Sequence, residues 1–93
     1  MNLVDVLRGS GNLEVEADVF PVRYDLAVLK DERGVMQMRG ALSGSYSGLY
    51  QALDRGHSRL ILSDGVGVPI IVTRMEGEVA VVLSTGAPET DDA

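Results

Sequence analysis

His57 is the only histidine of the chain, and there is no cysteine beside it. A zinc site needs three or four imidazole, thiolate or carboxylate ligands. A single imidazole next to Asp54, Arg55 and Gly56 therefore reads as a turn residue, and neither a metal nor a cofactor is expected. Hydroxyls are more plentiful. The run Gly44-Ser-Tyr-Ser-Gly48 sets glycines around serines as a nucleophile elbow does. That device, however, works on a strand-to-helix turn of a large α/β sheet, with a histidine base delivered from elsewhere in the chain. Asp64-Gly-Val-Gly67 has the glycines of a phosphate loop, but no lysine and no following helix to supply the charge. It reads as a hairpin turn. Asp31-Glu32 and Asp91-Asp92 place carboxylates in loop and tail settings where water solvates them. No set of acid, base and nucleophile emerges, and the expectation is a protein that is not an enzyme.

One group of residues could recognise a ligand. Arg23 and Arg39 with Tyr46 and Tyr50 combine guanidinium and phenol, a pairing that suits an anionic or planar molecule. Alternation sets both arginines on the face opposite Tyr24, so a rim formed by all of them needs the fold to gather it.

The elements that would position these residues are strands. Apolar and polar residues alternate over Asn12–Asp18 (Leu13, Val15 and Ala17 against Glu14, Glu16 and Asp18), and again over Val22–Lys30. A period of two gives a sheet one face to bury. Phe20-Pro21 is expected to interrupt the ladder, since proline donates no hydrogen bond. Before it, Leu3, Val6 and Leu7 share a helical face, with Asn2 as a cap and Gly9 past the end, which predicts a short helical turn or an edge element over 1–11.

A hairpin follows whose register can be derived. A three-residue loop, Glu32-Arg33-Gly34, sets Lys30 against Met36, Val28 against Met38 and Tyr24 against Leu42, which aligns the apolar faces. It also leaves Gly34 at the left-handed position such loops require. In that register Arg39 lies diagonal to Asp25, a surface ion pair.

Leu49, Tyr50 and Leu53 have helical spacing. Together with Ser47 as cap and Gly56 as stop they predict a short helix over Gly48–Arg55, although Tyr46, Gly48, Tyr50 and Ala52 could also line one side of a strand. The last third predicts a meander of Arg59–Leu62, Val68–Arg74 and Val79–Ser84. A two-residue turn at Glu76-Gly77 sets Val72 against Val81 and Ile70 against Leu83, with Val79, Val81 and Leu83 in the core. The opposite face then carries Ile61, Pro69, Ile71, Ala80 and Val82, and strands that are apolar on both sides are usually covered on both. The cover is either internal, from the Leu3/Leu7 segment or the Leu49/Leu53 face, or it is another molecule. Those five residues are the expected self-association face.

The fold class expected is mostly β: a small six-stranded antiparallel barrel or two-sheet sandwich, with one short helix between strands 3 and 4. Ninety-three residues make one domain, over 1–86, with a disordered acidic tail over 87–93. A hydrophobic share of 45% with 24% charged residues is that of an ordinary globular protein. The net charge is −6, and Glu89, Asp91 and Asp92 supply half of it. An acidic body with scattered arginines is a poor match for nucleic acid, which demands a basic stripe. No apolar run could span a bilayer, and Asp5 and Arg8 interrupt any signal-like stretch, so a cytoplasmic protein is expected. Seven arginines against one lysine suit a GC-rich bacterial genome. The function expected is a binding or assembly module that forms a homodimer or binds another protein; the alternatives are a small-ligand regulatory domain and, last, a small enzyme.

Overall fold

The computed structural model describes residues 2–86; the tail expected over 87–93 lies outside the described residues. Six strands and one helix follow in the order β1 (Asn2–Val15), β2 (Asp18–Lys30), β3 (Met36–Gly44), α1 (Tyr46–Arg55), β4 (Ser58–Ile61), β5 (Gly67–Glu76) and β6 (Val79–Ser84). They close into an antiparallel barrel in the order β1-β2-β3-β6-β5-β4. Two three-stranded meanders are thus joined by short seams, Arg39–Leu42 with Ala80–Leu83 on one side and Asn12–Glu14 with Arg59–Ile61 on the other. Between barrel and sandwich, the chain is a barrel.

The interior is apolar throughout. Leu13, Leu26, Leu42, Leu60, Val68 and Ile70 are essentially inaccessible, and among the described residues no polar or charged one is buried with them. The helix seals one end. Ser45 caps it, its hydroxyl accepting from the Gly48 amide at 3.3 Å, and Gly56 ends it. The cap is therefore Ser45 where the sequence pointed to Ser47, and the helix begins two residues earlier. Leu49 and Ala52 drop into the core, and Gly48 lies against the ring of Phe20, leaving no room for a side chain there.

The β2–β3 hairpin has the register derived from the sequence, with Lys30 opposite Met36, Val28 opposite Met38 and Tyr24 opposite Leu42. Gly34 takes φ +82°, and the Asp31 carboxylate accepts from the Arg33 and Val35 amides, each at 2.9 Å, locking the loop.

Residues 2–11 differ from expectation. Residues 2–11 form neither a helical turn nor a short edge piece but the first two thirds of β1, paired with β2 along its whole length. A bulge at Val4 breaks the alternation, so the apolar set no longer shows a period of two. Gly9 is not a helix stop but acts together with Gly11. They clear space for the Tyr24 ring, whose hydroxyl would sit 2.8 Å from a Cβ at Gly9, while a Cβ at Gly11 would strike the Ile61 carbonyl of β4. The tyrosine covers the glycines of its neighbouring strand. Its hydroxyl then accepts from the Ser63 amide and shares a hydrogen bond with the Ser63 hydroxyl, both at 3.1 Å, tying β2 to the β4–β5 loop.

The alternating run Asn12–Asp18 is also not one strand. The chain reverses at Glu16-Ala17, with Glu16 at φ +56°. Nor does Pro21 end β2, because Val22–Gly44 is the last pair with β3 and the proline stands beyond it, where one side of the backbone has no ladder to join.

Candidate functional site

The outer wall of β4, β5 and β6 is where the structure corrects the sequence most. The β5–β6 turn is Gly77-Glu78, with Glu76 opposite Val79 and Met75 opposite Ala80. Only Gly77 of the two has a positive φ, +62°, which fits a turn with glycine at its first central position. A bulge at Thr73 then shifts the ladder, so that Val72 faces Val82, Ile71 faces Leu83 and Ile70 faces Ser84. Because the side-chain period is two, a one-residue slip exchanges the faces of a whole strand. Ala80 and Val82, expected outside, are 0% and 1% exposed in the core. Val79, Val81 and Leu83, expected in the core, point outward and are half-buried. Ile61, Pro69 and Ile71 remain on the outer face as expected, each half-buried.

The wall therefore consists of Ile61, Pro69, Ile71, Val79, Val81 and Leu83, joined on the β3 side by Ala41 opposite Val81. Charged groups rim it. Arg74 is held by Glu76 at 3.0 Å and Arg59 by Glu14 at 3.5 Å. Neither internal cover considered above lies on the wall, since Leu49, Leu53 and Leu7 all pack on the core and Leu3 stands 60% exposed on the first hairpin.

The expected ligand rim is gathered only in part. Tyr46 and Tyr50 meet edge to face on the exposed side of α1, with ring centroids 4.8 Å apart. The Tyr46 hydroxyl donates to that of Tyr50 at 3.3 Å. That hydrogen bond, followed by partial desolvation and the nearby charges of Tyr50 and Glu78, raises the Tyr46 pKa above the ordinary value, because ionisation would lose the donor and place an anion near another. Arg23 and Arg39 are exposed and line separate outer grooves. Arg23 shares one of about 260 Å³ with Asp25, Ala41, Ser43 and Val79, and Arg39 shares one of about 300 Å³ with Thr73, Val81 and Leu83. Arg23 pairs with Ser43, four residues along β3 from Arg39, or about 13 Å at strand rise. The two arginines do not grip one ligand. Volumes of this size stand at the lower bound of small-molecule sites. The Arg39–Asp25 ion pair is not formed either. Asp25 is taken by Arg8 of β1 at 3.2 Å, a partner invisible while 1–11 was not read as a strand.

His57 is exposed, and among the described residues no three His, Cys, Asp or Glu side chains gather as a metal site. Among the described residues no helix is long and apolar enough to cross a membrane. A second apolar surface, which the sequence reading missed, lies on the first hairpin. Leu3, Val4, Val6, Val35 and Met36 are each more than 40% exposed, and residues 2–11 of β1 pair with β2 alone among the described residues. The bulge at Val4 and the charge of Asp5 beside it are the devices by which strand edges resist pairing, which makes the C-terminal wall the better candidate. Comparison of the chain with family models, with curated proteins and with solved structures finds no match.

Proposed function

We propose that this chain is a non-enzymatic β-barrel assembly module that associates with a second copy of itself through the outer wall of β4–β6. One observation carries the reading: an apolar band of Ile61, Pro69, Ile71, Val79, Val81 and Leu83, half-buried on the outside of a closed barrel and rimmed by charge, with Gly86 against Pro69 at one edge. Contiguous apolar surface of this kind on a small soluble domain marks an interaction site more often than bare surface, and self-complementary patches on identical chains produce two-fold dimers. A composition without cysteine suits the reducing cytoplasm of a bacterium as the working compartment.

The test is light scattering over a concentration series of the wild type and of Ile71→Glu. Ile71 points outward, so a carboxylate there leaves the monomer folded. The expected result is a wild-type dimer and a monomeric variant with an unchanged circular dichroism spectrum. A wild type that stays monomeric at millimolar concentration refutes the proposal.

A further inference from the structure

Of the two arginines beside the wall that hold no acid among the described residues, Arg23 lies in the groove of Val79 and Arg39 borders the apolar band. Arg39 sits beside Leu83 in the register of β3 with β6, at the edge of the apolar band. Among the described residues it makes no ion pair or hydrogen bond, whereas Arg8, Arg33, Arg55, Arg59 and Arg74 each hold an acid. Glu78, in the turn that opens β6 at the other end of the wall, holds no cation among the described residues, and its charge reaches Tyr46. The two charges bracket the outward residues of β6, which run Val79, Val81, Leu83, with Val81 midway.

We infer that the second copy docks with its β6 antiparallel to the first across a two-fold axis at Val81, so that Arg39 of each copy pairs with the partner subunit's Glu78. This rests on the self-association reading and specifies its geometry. A two-fold axis lying between the walls and perpendicular to β6 carries Leu83 onto the partner's Val79 and brings Arg39 to the partner's Gly77-Glu78 turn. Two identical ion pairs then flank an apolar centre, and the otherwise uncompensated guanidinium at the edge of the buried patch acquires its anion. An axis parallel to β6 does the opposite. It sets Arg39 over the apolar Ile71 side of the partner and stacks the two Glu78 carboxylates at one end. Charge complementarity therefore selects the antiparallel arrangement.

The experiment is sedimentation equilibrium on the full chain with Arg39→Glu, Glu78→Arg and the double variant. Each single reversal places like charges at two symmetric contacts and is expected to weaken the dimer by about a hundredfold. The double variant, with the pair inverted, is expected to recover to within about threefold of wild type. Both side chains are exposed, so thermal melts of the dilute variants should match the wild type. A dimer insensitive to either reversal, or a double variant no better than the singles, overturns the inferred geometry while self-association stands. A monomeric wild type overturns both.

Discussion

Truncating Val82 and Val81 to alanine, one at a time, tests the register of β6 directly. The two residues are neighbours and chemically identical, and the bulge at Thr73 alone decides which of them is inside. Val82 is 1% exposed, packed in the core with Val72 opposite it. Its truncation removes two buried methyl groups, about 1.6 kcal/mol of transfer free energy, and leaves a cavity, for a total of about 2–3 kcal/mol. At about 4–8 °C per kcal/mol for a domain of this length, the melting temperature should fall by about 10–20 °C. Val81 is half-buried on the outer wall, and its truncation should cost the isolated barrel less than about 1 kcal/mol. The assay is urea denaturation followed by circular dichroism, at a concentration low enough that no dimer contributes. The register read from sequence alone gives the reverse order. If Val81→Ala proves as costly as Val82→Ala, or costlier, the bulge and everything built on the wall are wrong.

Other perturbations probe separate parts of the account. Tyr24→Phe removes the hydroxyl that ties β2 to Ser63 and strands the Ser63 amide, so urea denaturation should show a loss of about 1–2 kcal/mol; no loss would mean the tie is idle. Gly11→Ala forces a Cβ against the Ile61 carbonyl and the Tyr24 ring, and should destabilise by about 1–3 kcal/mol in a thermal melt, where a neutral result would disprove the close approach of β4 to β1. Tyr46 should ionise above the ordinary tyrosine value of about 10, and Tyr50→Phe should move it back toward that value in an ultraviolet titration. A pKa raised in the folded state means the contribution to stability is complete below the ordinary value and disappears as pH rises through the raised one.

The parts of the fold legible in sequence were those where pattern and turn chemistry agree. The β2–β3 hairpin is the clearest, because alternation in Tyr24, Leu26 and Val28 and a glycine suited to φ > 0 at position 34 admit only one register. The helix was legible from the spacing of Leu49 and Leu53 and from Gly56, though not its true cap. What failed has one physical origin in two places: a bulge adds a residue and resets the period. At Val4 it disguised a strand as a helical face. At Thr73 it exchanged inside and outside for β6, and the run Val79-Ala80-Val81-Val82-Leu83 offers no polar residue to reveal the exchange. Ile61, Pro69 and Ile71 lie on the outer face that alternation gives them, because β4 and the start of β5 precede the bulge. The pairing of Arg8 with Asp25, and the freedom of Arg39 that follows from it, depend on residues 2–11 being a strand, which their sequence pattern conceals.

Isotope-filtered NMR on a mixture of labelled and unlabelled chains measures the contact itself. Nuclear Overhauser effects between copies should connect the Leu83 methyls of one chain with the Val79 methyls of the other, and Val81 with its counterpart. Effects confined to Leu3, Val4 and Val6, or none between copies at any concentration, would contradict an assembly built on the outer wall of the C-terminal meander.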